Sequence, residues 1–143
     1  MSFIKVMVHS VWGTKNHQPL MKKEIKEKII LHIKMNAKSK EIFIDEINGY
    51  LEHLHCIFGM NSDLSISKTM QLIKGESAHW INLEGLIKEK FEWADEYFAV
   101  SVSESMLNKV REYIRNQEEH HRKKTFKEEY DEFINKYNFK IHG

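Results

Sequence analysis

A chain of 143 residues with 41% hydrophobic residues, six glycines and one proline fits one compact domain, residues 1–143, built on a single core. No apolar run approaches the roughly 20 residues that span a bilayer, and the Met-Ser-Phe-Ile-Lys-Val start lacks a basic segment leading into a long apolar one, so the expectation is a soluble, cytoplasmic protein with no membrane partner. A net charge of +1 argues against a uniformly basic nucleic-acid binder, but the charge is segmented, +7 over residues 1–40, −7 over 41–100, +3 over 101–127 and −2 beyond.

Phe3 to Trp12 is rich in β-branched and aromatic residues, with Ile4, Val6 and Val8 on one face and Met7 and Val11 on the other, which predicts a central strand covered on both sides. Gly13 to Pro19 is turn chemistry. From Leu20 to about Lys38, Ile25, Ile29, Ile33 and Ala37 recur every four positions, the pattern of an amphipathic helix with its lysines outside. Ile42 to Ile47 reads as a second strand. Asn48-Gly49 behind it is a hairpin signal, both residues tolerating positive φ, and it would pin the next strand antiparallel.

That next strand, Leu51 to Met60, holds the most informative spacing. Leu54, Cys56, Phe58 and Met60 form one apolar face, and His53, His55 and Ile57 share the other. At roughly 3.3 Å of rise per residue the histidines stand about 6.6 Å apart along the backbone, close enough for both rings to converge on one cation. Spacing alone also fits two ordinary hydrogen-bonded histidines. The lone cysteine, Cys56, lies on the apolar face and reads as a small core residue.

Farther on, Ile66, Met70, Ile73 and Ser77 trace one face of a helix with Lys74-Gly75 in its interior, and a glycine there suggests close approach of a backbone or ligand, close helix packing being the commoner reason. Tyr97 to Val102 is a short strand, and Ser101-Val-Ser-Glu104 offers a capping box that starts a helix. Along this helix Leu107, Val110 and Ile114 make the buried stripe, while Met106, Tyr113, Gln117 and His120 follow an adjacent line. Arg111, Arg115, Arg122, Lys123 and Lys124 surround it with positive charge, and an amphipathic helix from Phe126 to Tyr137 closes the chain. If the two basic segments share a side, they make a cationic surface for phosphates.

These stretches, taken in order, resemble the HUH single-strand DNA transposases, the IS200/IS605-like and REP-associated tyrosine transposases. The resemblance rests on Val8-His-Ser-Val-Trp-Gly-Thr-Lys-Asn16, His53-Leu54-His55, Leu72-Ile-Lys-Gly-Glu-Ser77 and Trp80-Ile-Asn82. It continues through Phe91-Glu-Trp93, Tyr97, Ser101-Val-Ser103, Tyr113-Ile-Arg-Asn-Gln117-Glu-Glu-His-His121 and Phe126-Lys-Glu-Glu-Tyr130. Ala78 stands where a second serine is usual, and Ala94-Asp-Glu96 replaces the commoner Gln-x-Gly.

The resemblance implies an α+β, ferredoxin-like antiparallel sheet with packed helices and the nucleophile-bearing helix near the C-terminus. It implies that His53, His55 and Gln117 ligate Mg²⁺ or Mn²⁺ and that Tyr113 attacks single-stranded DNA carrying hairpin ends, leaving a 5′-phosphotyrosine. It also implies a homodimer whose active sites combine the histidines of one subunit with the tyrosine helix of the other. Lys15, Lys74, Arg115 and Lys123 are candidates for phosphate contacts, which position DNA without reading its sequence. Two other classes stay open. One is a metal-dependent phosphodiester hydrolase using His53, His55 and a carboxylate. The other is a domesticated, inactive or purely hairpin-binding protein.

Overall fold

In the computed structural model, residues 3–137 are described, without the side chain of Arg122. The expected domain limits, 1 and 143, and the side chain of Arg122 lie outside these described residues. The order is β1 (Met7–Gly13), α1 (Lys23–Ser39), β2 (Phe43–Gly49), β3 (His53–Gly59), α2 (Ile66–Glu84), β4 (Phe98–Val102), α3 (Leu107–Arg115), α4 (Gln117–Lys123) and α5 (Phe126–Lys136). The four strands form one antiparallel sheet in the order β2-β3-β1-β4. A β-α-β-β-α-β succession with β1 and β3 central is the ferredoxin-like arrangement, as expected, with three helices added after β4.

Alternation along the central strands decides what each face covers. Val8 and Trp12 of β1 and Leu54, Cys56 and Phe58 of β3 pack with Ile29, Ile33 and Ala37 of α1 and Met70, Ile73 and Ile81 of α2 in the main core. Met7 and Ile57 on the opposite face meet Leu107 and Ile114 of α3 in a smaller one. His9, His53 and His55 belong to this second face, so the added helices bury them; both faces of β3 are covered.

Several local expectations change. Phe3, Ile4 and Val6 are exposed, and the first strand starts only at Met7. Lys26 is buried on α1, its Nζ donating to the Gly49 carbonyl at 3.0 Å and reaching Glu118 Oε1 at 3.4 Å. The β2–β3 hairpin exists, but Asn48 and Gly49 lie inside its ladder opposite His55 and Leu54, and the chain turns at residues 50–52. Gly49 does not take a positive φ. It serves close approach instead, since a Cβ there would sit 2.0 Å from the His53 carbonyl oxygen. Gly75, expected to mark such an approach, faces open space.

Ser101 is engaged in β4 opposite Val8, so no capping box forms at Ser101–Glu104. A box forms instead at Thr125 and Glu128, starting α5. No described helix is long and apolar enough to cross a membrane.

Candidate metal and nucleophile site

β3 delivers His53 and His55 to the covered face, and the helices after β4 deliver what they meet. The expected single helix over Tyr113 and His120 is interrupted at Asn116 (φ −96°, ψ 24°). Asn48 of β2 explains the break, its Nδ2 donating to the carbonyls of Ile114 at 3.1 Å and Arg115 at 3.2 Å. Those carbonyls are satisfied from outside the helix, as helix ends require. The chain restarts as α4 with Gln117 turned into the core.

Gln117 Oε1 lies 3.0 Å from His53 Nε2 and 3.1 Å from His121 Nε2, while its Nε2 donates to the Tyr113 carbonyl at 3.3 Å. From α5, Glu129 Oε1 lies 3.0 Å from His55 Nε2, 3.3 Å from His53 Nε2 and 3.5 Å from His121 Nε2. Its other oxygen, Oε2, accepts a short hydrogen bond from the Tyr113 hydroxyl and lies 3.1 Å from His120 Nε2. His53 and His55 are 0% exposed, Gln117 0% and Glu129 1%.

The outer ring nitrogens are held in turn. His53 Nδ1 donates to Glu52 Oε1 at 2.7 Å, and His55 Nδ1 is 2.9 Å from His9 Nε2. His121 Nδ1 donates to the Lys124 carbonyl at 2.8 Å. With their Nδ1 atoms engaged outside the cluster, His53 and His121 turn Nε2 toward the oxygens of Gln117 and Glu129. Such a convergence of acceptors requires a cation or a proton between them. Donors about 2.1 Å from a divalent ion with octahedral geometry stand about 3 Å apart, the spacing found here. The residues therefore fit a divalent metal, and partners on the outer nitrogens are what orient ligating histidines.

Burial, more than the neighbouring ring, pulls His9 down to about 3. Burial likewise lowers His55 to about 4, opposed in part by the hydrogen bond to Glu129, so both rings are neutral at pH 7. Glu129 is pushed up by burial, but hydrogen bonds with His121 and His55 outweigh that and hold its carboxyl well below the usual range. Tyr113 is raised by burial first and by Glu129 second. Burial also raises the Cys56 thiol, consistent with an inert core residue.

The structure thus brings Tyr113, His53, His55 and Gln117 of one chain together. Three of the four candidate cations are engaged by groups outside that cluster. Lys74 Nζ donates to the carbonyls of Ala94 at 2.7 Å, Asp95 at 3.1 Å and Glu96 at 3.4 Å, pinning the loop that departs from the resembled pattern. Lys15 pairs with Glu92 at 3.0 Å and Arg115 with Glu46 at 2.8 Å, each cation 60% exposed, and Lys123 is exposed on α4. Exposed pairs of this kind are weak enough to yield to another anion.

Glu129, His121, His9 and Glu52 were not among the expected site residues. Glu129 left one signal, a carboxylate in line with Phe126 and Phe133 on the apolar side of an amphipathic helix. Beside the cluster, an open cavity of about 660 Å³ is lined by Tyr113, His120, Glu129, Met106, Val110 and Phe133, among others.

The architecture is shared with solved structures. A candidate transposase from Deinococcus radiodurans R1 superposes with a TM-score of 0.66 at 20% identity, covering 81% of this chain and 93% of that one. A REP-associated tyrosine transposase bound to a REP hairpin gives 0.64 at 16% identity, covering 85% of this chain and 72% of that one. Curated proteins give no match. The family described as "Transposase IS200 like" matches residues 2–117, from before β1 through Gln117, and this chain belongs to that family.

Proposed function

We propose that this transposase cleaves and rejoins single-stranded DNA through Tyr113, with His53, His55 and Gln117 holding Mg²⁺ or Mn²⁺. The observation that carries the reading is the meeting of a tyrosine hydroxyl with a buried set of metal-type donors, beside a cavity open to substrate. Neutral imidazoles and an amide oxygen suit such an ion and leave positions for phosphate oxygens. When bound, the metal would supply positive charge that offsets the negative charge developing on the phosphate oxygens in the transition state and would favour the phenolate.

The chain's own residues do the rest. Tyr113 Oη forms a bond to phosphorus, the bond from phosphorus to the 3′ oxygen breaks, and the phenolic proton is balanced by protonation of the released 3′ oxygen. The product is a 5′-phosphotyrosine with a free 3′-hydroxyl. Because the ester bond is conserved, attack by a 3′-hydroxyl reverses the step and joins ends without ATP. His120 Nε2, 3.4 Å from the Tyr113 hydroxyl, helps fix its direction.

Hairpin-ended DNA in the cytoplasm is the substrate, a choice supported by the hairpin in the similar structure. Lys15, Arg115 and Lys123 contact its phosphates, and Lys74 shapes the adjoining loop. Tyr113 lying beside the histidines of its own chain supports cleavage within one subunit. The homodimer with exchanged tyrosine helices is the alternative assembly, and mixing His55→Ala with Tyr113→Phe protein separates them, because only exchange restores activity. Glu129 beside His53 and His55 also supplies the carboxylate of a hydrolase. Cleavage of end-labelled hairpin oligonucleotides decides: the transposase leaves the 5′ end on protein and Tyr113→Phe cuts nothing, whereas full cleavage by Tyr113→Phe would overturn the assignment.

A further inference from the structure

The family match ends at Gln117, yet the buried cluster is completed by residues beyond it. Glu129 is the one carboxylate grouped with His53 and His55 among the described residues, and their ligand atoms lie within 4.8 Å of one another. Its placement is built rather than incidental. The Thr125–Glu128 capping box starts α5 one residue before it, the Phe126 ring stacks on His53 at 4.1 Å and 2° between planes, and Phe133 packs near His9 and His55. A buried carboxylate is costly unless it is hydrogen-bonded and paired, and a cation held between Glu129 Oε1 and the Nε2 atoms of His53 and His55 would pair it.

We infer that Glu129 is a fourth protein ligand of the metal, delivered by α5, and that the same carboxylate couples the ion to the nucleophile. Oε1 faces the donors His53, His55 and Gln117, and Oε2 accepts the Tyr113 hydroxyl. One side chain therefore sets the position of Tyr113 relative to the ion. It also ties the docking of the last helix to metal occupancy, because α5 contributes a ligand and cannot leave without breaking a coordination bond. This rests on the metal-site reading above.

The test uses the full chain and Mn²⁺ alone, with two readouts that need no DNA. Calorimetric titration compares wild type, Glu129→Ala and Glu129→Gln, with circular dichroism to establish folding. Hydrogen exchange follows the amides of residues 126–136 with and without metal. Glu129→Ala is expected to weaken Mn²⁺ binding by at least about tenfold, the scale seen when groups that tune a metal site are lost. Glu129→Gln falls between the two, since an amide oxygen ligates more weakly. Metal should slow exchange across α5 in wild type and leave it unchanged in Glu129→Ala. Equal affinity in wild type and Glu129→Ala, or tight binding without protection of α5 in wild type, would overturn the inference while leaving the site of His53, His55 and Gln117 standing. Failure of wild type itself to bind Mn²⁺ would instead remove the metal reading on which both depend.

Discussion

Replacing Gly49 by alanine tests how the hairpin fixes the first histidine. An added Cβ would lie 2.0 Å from the His53 carbonyl oxygen and 2.8 Å from Leu54 Cα, both backbone atoms. Neither side yields easily. The His53 carbonyl accepts the Tyr50 N–H at 3.0 Å, and the Gly49 carbonyl accepts Lys26 Nζ at 3.0 Å, so movement strains the ladder or strips a buried lysine of its partner. Overpacking a rigid site costs 1–3 kcal/mol or more, and backbone clashes on this scale place Gly49→Ala at about 3 kcal/mol. For a domain of this size that is a fall of roughly 10 °C in Tm. His53 leads β3, so its displacement should weaken Mn²⁺ binding by about tenfold as well. Calorimetric melting and metal titration of the same variant check both. A Tm within about 2 °C of wild type together with unchanged Mn²⁺ affinity would refute the claim that close approach at Gly49 positions His53.

Three further outcomes are expected. Tyr113→Phe should lose all DNA cleavage while keeping its Mn²⁺ affinity, since the hydroxyl is not a metal donor; lost metal binding in titration would reassign it. His9→Ala should reduce Mn²⁺ affinity by about 10–100-fold by freeing Nδ1 of His55, and an unchanged titration would show that His9 does not orient that ring. Stability should fall on acidification. Burial holds His9 at about 3 and His55 at about 4 against an ordinary 6.5, so the unfolded chain binds more protons than the folded one between these values. The stability is therefore full above pH ~6.5 and is lost progressively as pH falls toward ~4, by on the order of 3 kcal/mol for His55 alone. Thermal melts across that range should show the decline, and a flat profile would contradict the burial argument.

How much of this was legible in the sequence follows from which contacts are local. The alternation along β3 placed Leu54, Cys56 and Phe58 in one layer and His53, His55 and Ile57 in the other, because side-chain direction in a strand is a local property. The Asn48-Gly49 pair marked a hairpin, but glycine serves positive φ and close approach alike, and only the paired strand tells which operates. Nothing within residues 104–120 announces the break at Asn116, because its cause is the Asn48 side chain on another element. Serine and glutamate at Ser101 and Glu104 had the spacing of a cap, yet ladder pairing with β1 took Ser101 into β4. Tyr113 and Gln117 were visible through helical spacing and the resemblance. Glu129 was hidden because a single carboxylate on an apolar helix face acquires meaning only when the histidines it faces are in place.

The chain also suits a direct chemical test of its central claim. Arg111 and Arg115 bracket Tyr113, so trypsin releases Glu112-Tyr-Ile-Arg115 with Tyr113 as its only hydroxyl side chain. After reaction with a single-stranded hairpin oligonucleotide and Mn²⁺, digestion with trypsin and nuclease followed by mass spectrometry should find this tetrapeptide carrying a nucleotide through its 5′ phosphate. Cleaved DNA with that peptide unmodified, or with the nucleotide on any other residue, would contradict the account.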